Sequence, residues 1–224
     1  STGRLVKYRP PEEIDGVRVD TGVYEGGEIP MYYDSMIAKL IVHGKDRKEA
    51  IEKMRAALND FVIRGIHSNI PFQAALLQHP RFISGDFTTG FIAEEYPDGF
   101  KKDSVQPADP KRLAALAAFM RYRYLQHIQM IDGQLAGHEM TIAKQFVVVT
   151  DARVGSKDKA IDIPIRMDVK DGVYSVYIEE ADGISRYDIV SDWRPGQICL
   201  RATINGKSKI TAQVKRHGVQ YQLV

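Results

Sequence analysis

The second half of the chain opens with an apolar pattern that predicts one long helix. Leu116, Met120 and other apolar residues recur about every 3.6 residues over 110–131, which is the repeat of an α-helix with a buried side. Asp109 suits the N-cap, and Pro110 suits the first turn, where its missing N–H costs nothing. Further apolar residues lie off this stripe, so we expect protein around much of the helix.

After this helix the pattern changes to short alternating runs, which indicate strands. The predicted strands are 146–150, 163–170, 173–179, 184–191, 197–204, 207–215 and 219–224. Asp-Gly and Asn-Gly pairs separate several of them, and such pairs favour two-residue hairpin turns in which both residues have positive φ. Consecutive hairpins form an antiparallel meander, so we predict a curved sheet or a barrel wrapped around the helix.

The first half of the chain reads as mixed α and β structure. The run 35–43 predicts a largely buried strand whose single charge is Lys39. Asp46 and Glu49 have the spacing of a capping box, and the apolar residues that follow predict an amphipathic helix. A stretch rich in proline and poor in apolar residues then favours a linker. The predicted organisation is therefore a first domain at 1–100, a linker at 101–108 and a second domain at 109–224.

Composition narrows the classes of protein. The 224 residues carry 31 Lys and Arg against 29 Asp and Glu, a net charge of +2, which is too small for a nucleic-acid-binding surface. No apolar run approaches the roughly 18 residues that a membrane helix needs, and no signal peptide is visible. The lone Cys199 fits a reducing compartment. We therefore expect an intracellular protein that binds neither nucleic acid nor membrane.

Motifs for common enzyme chemistry are missing from the sequence. There is no P-loop, no GxGxxG, no HExxH and no Cys/His cluster, so no metal site is expected. The densest group of polar residues is Tyr32, Tyr33 and Asp34, which lead into the strand that carries Lys39. These charges fit either a structural ion pair or groups that orient a site. Arg18 is equally open to two interpretations, a surface charge or an anion contact.

Three segments of the sequence resemble a known family. Met31 to Ile41 and Val62 to Asn69 resemble the C-terminal domain of biotin carboxylases, and Tyr96 to Lys101 resembles its end in propionyl-CoA carboxylase α subunits. In that family a domain called BT follows, a long helix within an antiparallel β-barrel that docks the carboxyltransferase. The expected fold class is therefore α+β, a biotin carboxylase C-terminal α/β domain followed by an antiparallel barrel or meander around one long helix.

The resemblance also implies a function. Biotin carboxylase subunits use ATP, Mg²⁺ and bicarbonate to carboxylate biotin, and a carboxyltransferase β subunit then carboxylates propionyl-CoA. This sequence has no Gly-rich ATP-grasp loop and no Ala-Met-Lys-Met biotin site, so we expect it to bind no cofactor and to be inactive alone. The implied partners are the β subunit, the ATP-grasp core and the biotin carrier domain, in an α6β6 assembly. The implied location is the cytoplasm in bacteria or the mitochondrial matrix in eukaryotes.

Few site residues follow from the resemblance. Arg18 matches an arginine that stabilises the enolate form of biotin, and Asp34 matches an aspartate at the rear of that site. On the long helix, the polar patch of Arg121, Arg123 and His127 fits a solvated surface or a partner contact about equally well. For docking we name Tyr122, Arg123 and His127, together with the connection 135–145 that leaves the helix.

Two alternatives remain open on the sequence. The α subunit of methylcrotonyl-CoA carboxylase shares the same architecture, and acyl-chain choice belongs to the β subunit. The other alternative is a non-enzymatic β-barrel that binds a ligand. Such a barrel needs an empty interior, whereas the apolar helix at 110–131 favours a filled one.

Overall fold

The computed structural model describes residues 2–30, 32, 36–101, 109–150, 160–180, 183–218 and 220–223, apart from the side chain of residue 217. Its contacts divide the chain into two compact units, Ser1–Gln106 and Pro107–Val224, called unit 1 and unit 2 here. Each unit has its own buried residues, so each is described by itself. Within the described ranges, no helix combines the length and apolar character needed to cross a bilayer.

Unit 1 consists of short strands and four helices among the residues described. In chain order they are β1 (Gly3–Arg4), β2 (Lys7–Arg9), β3 (Val17–Thr21), β4 (Glu28–Ile29), β5 (Ala38–Val42), α1 (Arg47–Asp60), β6 (Val62–Arg64), α2 (Ile70–Leu76), α3 (Pro80–Ser84) and α4 (Phe91–Glu95). The strands form three antiparallel pairs, β1 with β4, β2 with β6 and β3 with β5. Because each pair has only two strands, it leaves edges and one face for other contacts.

The first helix begins at the predicted capping box. The Asp46 side chain accepts a hydrogen bond from the Glu49 backbone N–H at 2.8 Å, and the Glu49 carboxylate accepts one from the Lys45 N–H at 2.9 Å. The first bond satisfies a donor that the first turn of a helix leaves without a partner, and the second ties Glu49 back to the residue before the N-cap. The apolar side of α1 then buries Ile51 and Leu58 against Leu77. Leu40 of β5 packs against this cluster, so the cluster supports the strand that carries Lys39.

The short helices α3 and α4 are joined by an ion-pair network. Arg81 Nη1 lies 2.6 Å from Glu95 Oε1 and 2.8 Å from Glu94 Oε2. His79 Nε2 lies 3.2 Å from the other Glu95 oxygen. The hydrogen bond from Arg81 is the main cause that lowers the pKa of Glu95, against a smaller opposing effect of burial. Pro80 begins α3, in agreement with the preference for proline in the first turn of a helix.

This network predicts acid sensitivity in unit 1. Because the pKa of Glu95 is lower in the folded state, its contribution to stability is complete above the ordinary value of 4.5 and is lost as the pH falls through the lowered pKa. We expect Arg81→Gln to reduce the loss of unfolding free energy between about pH 7 and about pH 3. Hydrogen exchange at α3 and α4 amides measures this loss. The control is Arg55→Gln, an exposed arginine on α1, and equal acid sensitivity in wild type and Arg81→Gln would contradict the prediction.

Unit 2 is the predicted helix and meander. It contains α5 (Pro110–Gln129), β7 (Gln145–Thr150), β8 (Ile161–Lys170), β9 (Val173–Glu180), β10 (Gly183–Val190), β11 (Cys199–Ile204), β12 (Ser208–His217) and β13 (Gln220–Leu223). The seven strands form one sheet in chain order, each antiparallel to the next. Among the described residues the end strands β7 and β13 are not paired with each other, so the sheet is an open one. The predicted α+β fold class is confirmed.

Two hairpin turns have the backbone that the sequence predicts. Asp171 and Gly172 have φ values of 51° and 76°, and Asn205 and Gly206 have values of 52° and 66°. Positive φ at both central residues matches the right-handed twist of the flanking strands. These turns hold β8 against β9 and β11 against β12, and the side-chain register of the sheet follows from them.

Helix α5 fills the inner side of this sheet. Leu116, Phe119 and Met120 are fully buried, and three alanines between and before them are exposed by 3% or less. Small alanines let the helix approach the strands closely, while the larger side chains pack on Val176 and Leu200 from the sheet. The alternative of a ligand-binding barrel with an empty interior is therefore not favoured.

Candidate functional site

Arg18 lies on an exposed face of the β3–β5 pair. Its side chain is 67% exposed, and its Nε lies 3.1 Å from Asp20 Oδ1. The second guanidinium contact joins Nη2 to Oδ2 at 3.3 Å. Residues two apart on a strand point to the same side, so Asp20 holds the guanidinium on the surface of the ribbon. The arrangement presents a positive group whose orientation is already restricted.

The same face carries Lys39 and Ile41 from β5. Arg18 pairs with Ile41 and Asp20 pairs with Lys39 across the two strands, and all four are exposed. We call these four residues the Arg18 face. The prediction that the strand carrying Lys39 is largely buried is wrong. Among the described residues β5 pairs with β3 alone, and its other face, with Leu40, packs toward α1. The sequence pattern suggested that both faces of this strand are covered by protein. In unit 1 as described, no second layer covers the Arg18 face.

Asp34, predicted behind this arginine, lies outside the described residues, as does Tyr33. Tyr32 beside them is 87% exposed. The structure places Arg18 and Lys39 on one surface of the ribbon. Their roles remain predictions.

Two of the three docking candidates on α5 turn toward the sheet. Arg123 donates from Nε to the Trp193 carbonyl oxygen at 3.2 Å and from Nη1 to the Tyr174 hydroxyl at 3.0 Å. Tyr174 in turn donates to Gln126 at 2.9 Å. The ring of Tyr122 packs edge-on against Tyr174, with centroids 6.0 Å apart. These contacts fix the helix in the sheet, so the two residues position the surface beside them.

His127 and most of the connection after α5 are exposed. The helix ends at Gln129, two residues before the end that its apolar stripe predicted. Beyond it, Met130, Ile131 and Leu135 are exposed by 83%, 57% and 76%. We call these three residues the apolar loop. An exposed apolar group of this kind on a protein surface often marks an interaction site.

Glutamine side chains order the apolar loop from within. Gln134 Nε2 donates to the Gln129 carbonyl oxygen at 2.6 Å, and its Oε1 accepts from the Met140 N–H at 2.8 Å. Gln129 Nε2 donates to the Met140 carbonyl oxygen at 2.6 Å. These bonds hold the loop backbone in one conformation with the apolar side chains exposed. A partner that binds them would therefore lose little free energy to ordering of the loop. The sequence predicted a docking role for the segment 135–145 but not for Gln129, Met130 and Gln134. The hydrogen bonds of the two glutamines connect the end of the helix to the loop, and no local pattern indicates them.

Comparison with known families identifies both units. Residues 1–94 match the biotin carboxylase C-terminal domain, and residues 113–224, half of the chain, match the propionyl-coenzyme A carboxylase BT domain. The chain belongs to the propionyl-coenzyme A carboxylase BT-domain family. The resemblance recognised in the sequence motifs is thus confirmed, and in the BT domain it rests on sequence as well as on topology.

The chain is also similar to several individual proteins. The propionyl-CoA carboxylase alpha chain of Ruegeria pomeroyi is 38% identical over 225 residues, covering 92% of this chain and 31% of that protein. Biotin carboxylase 1 of Bacillus subtilis is 53% identical over 92 residues, covering 41% of this chain and 20% of that protein. A solved biotin carboxylase from Campylobacter jejuni is 38% identical, covers 42% of this chain and 21% of its own, and has a TM-score of 0.41. The chain thus spans about a third of the Ruegeria alpha chain.

Proposed function

We propose that this chain is the part of a propionyl-CoA carboxylase α subunit that completes the biotin carboxylase domain and docks the carboxyltransferase β subunit. The apolar loop carries the docking proposal, because it is exposed, apolar and held by its own hydrogen bonds in a unit of the BT family. The linker at 101–108 would separate the two roles. With its α subunit complete, the enzyme would carboxylate biotin and then propionyl-CoA.

The Arg18 face is the surface that unit 1 would contribute to the carboxylase site. A guanidinium held by Asp20 suits the developing negative charge of an enolate, because fixed donors need no reorganisation during the reaction. Packing against the ATP-grasp core would remove water from Arg18 and strengthen this interaction. Asp34 would support the site from behind. ATP, Mg²⁺ and biotin would be held chiefly by the core and the carrier domain, so we expect no biotin carboxylation by this chain alone.

Docking would use His127 and the apolar loop, with Arg123 and Tyr122 as positioning residues behind them. The assembly proposed is α6β6, in the cytoplasm of a bacterium or in the mitochondrial matrix. Propionyl-CoA is proposed as the acyl-CoA of the enzyme because the relatives include propionyl-CoA carboxylase alpha chains. Preference for the β subunit of a methylcrotonyl-CoA carboxylase in a binding assay would change that assignment.

Replacement of a loop residue tests the docking function. We expect Leu135→Asp to weaken binding to a propionyl-CoA carboxylase β subunit about tenfold or more, since burial of a leucine is worth roughly 1.5–3 kcal/mol. Biolayer interferometry with the immobilised β subunit measures the affinity. The matched control is Ile184→Asp, an apolar residue on β10 that is 64% exposed.

The outcomes of this assay distinguish docking through the apolar loop from the absence of such docking. Unchanged folding of both variants is checked by the fluorescence of Trp193, the single tryptophan. Loss of binding by Leu135→Asp with retention by Ile184→Asp supports docking through the apolar loop. Equal affinity of the two variants, or no binding by folded wild type, would remove the docking proposal.

A further inference from the structure

Two arginines of unit 2 share the ring of one tyrosine. The Cζ atom of Arg216 lies 3.9 Å from the Tyr124 ring centroid, and the Cζ atom of Arg121 lies 5.5 Å from the same centroid. Tyr221 is directly opposite Arg216 in the β12–β13 ladder. We call these four residues the arginine–tyrosine cluster. It joins one helix to the last two strands of the sheet.

Local geometry holds the cluster in place. Arg121 and Tyr124 are three residues apart on α5, so their side chains are neighbours on the helix surface. Arg216 Nε donates to the Gly218 carbonyl oxygen at 2.6 Å. A hydrogen bond with Tyr124 is the main cause that raises the pKa of Arg216. Burial raises the pKa of Tyr221 despite the opposing charges of Arg216 and Arg121, so its hydroxyl is neutral at physiological pH.

The positive charge of this cluster is not balanced within unit 2 as described. Arg166 and Arg186 on the same sheet pair with aspartates at 2.5 Å and 2.8 Å. By contrast, no carboxylate among the described residues lies within 4 Å of Arg121 or Arg216. Two like charges beside one ring repel each other, and the ring face offsets this only in part. A carboxylate between them would remove the repulsion and use their remaining N–H donors.

The cluster adjoins the apolar loop. Ile128 follows Tyr124 by four residues and Ile131 follows it by seven, so they lie along one side of the chain as α5 ends. The Ile131 N–H donates to the Ile128 carbonyl oxygen at 3.0 Å, which continues the helical path at this point. Arg216 is exposed, and Arg121 and Tyr124 are half-buried. A partner that covers the apolar loop from this side would reach both arginines.

We propose that the arginine–tyrosine cluster receives an aspartate or glutamate side chain of the docked β subunit. This inference rests on the proposed docking function and adds the chemistry of the contact. Planar guanidinium groups match a carboxylate bidentately, and stacking on the tyrosine restricts Arg216 before binding. The partner segment would therefore carry one acidic residue, with apolar side chains on either side of it that cover the apolar loop. The tyrosine rings exclude water and strengthen the ion pair.

Salt dependence tests the proposal. Affinity for a propionyl-CoA carboxylase β subunit is measured over a series of NaCl concentrations for wild type and for the double variant Arg121→Gln, Arg216→Gln. We expect the double variant to bind about tenfold more weakly at low salt, because truncating one side of a desolvated charge pair leaves the other charge without a partner. Its affinity should also fall less steeply with salt than that of wild type. Arg216→Lys keeps the charge without the planar fork and should give an intermediate affinity.

Controls distinguish the possible failures. Arg194→Gln removes an exposed arginine from the same unit outside the cluster, and Trp193 fluorescence checks that each variant is folded. If the double variant is unstable, the single Arg121→Gln variant replaces it. Binding by wild type with equal affinity and salt slope in the double variant overturns this inference and leaves docking intact. An equal loss in Arg194→Gln overturns it as well, whereas no binding by folded wild type removes the docking function itself.

Discussion

Phe119→Ala is expected to lower the free energy of unfolding of unit 2 by about 3–5 kcal/mol, the range for loss of a buried aromatic ring. Phe119 is fully buried. Its ring meets Tyr174 edge-on at 4.8 Å and lies 6.4 Å from the Trp193 ring. The cavity would lie between a helix and hydrogen-bonded strands, which can collapse only a little. The cost should therefore lie near the upper end of the range.

Urea unfolding followed by Trp193 fluorescence measures this effect. The single tryptophan is in unit 2, is 3% exposed and donates from Nε1 to the Gln197 carbonyl oxygen at 3.2 Å, so it reports on this core. Val190→Ala is the control, because Val190 is 50% exposed on β10 and should change stability by less than about 0.5 kcal/mol. A loss below about 1 kcal/mol for Phe119→Ala would mean that the helix is not the centre of this core.

Gly65→Ala is expected to destabilise unit 1 by about 3 kcal/mol or more, through a left-handed backbone and a steric overlap together. Gly65 has a φ of 99°. A Cβ there would overlap the Arg4 carbonyl oxygen and come within 2.8 Å of the Val6 nitrogen. These are backbone atoms, and the Val6 N–H is bonded to the Arg64 carbonyl oxygen at 2.8 Å. They cannot move aside without breaking the β2–β6 pairing.

A second glycine separates the two causes. Gly26 has a φ of 85°, and a Cβ there would meet nothing within 4 Å. Gly26→Ala should therefore cost only about 1 kcal/mol, the backbone part of the effect. Hydrogen exchange at β2 and β6 amides compares the two variants with wild type. Equal effects would show that the close approach at Gly65 relaxes freely.

The two units differ in how completely they bury their own apolar surface. Unit 2 encloses α5 in a seven-stranded sheet. Unit 1 has three two-stranded pairs and leaves Val6, Ile14 and Met36 exposed by 67%, 64% and 52%. Single exposed apolar residues are ordinary, but several of them in one unit that also has the open Arg18 face fit the proposal that this unit packs against an ATP-grasp core.

Arg123 illustrates what sequence reasoning could not provide. Its position on the helix suggested a docking contact, and Arg121 shared the same polar patch. The structure separates them: Arg123 bonds to Trp193, 70 residues away, and to Tyr174, 51 residues away, whereas Arg121 stays beside Tyr124. Such partners depend on which side of a helix faces which strand. No local spacing in the sequence reports that choice.

The sequence by itself determined the capping box of α1, the long helix from Pro110 to within two residues of its end, two hairpin turns and the antiparallel order of the sheet. These features depend on signals within a few residues, such as a cap, a 3.6-residue repeat or a pair of residues that accept positive φ. The tertiary structure decided the exposure of Lys39, the inward turn of Arg123, the order of the apolar loop and the meeting of Arg121 with Arg216. Those features join residues that are distant in the chain, and burial and charge pairing are properties of the packed molecule.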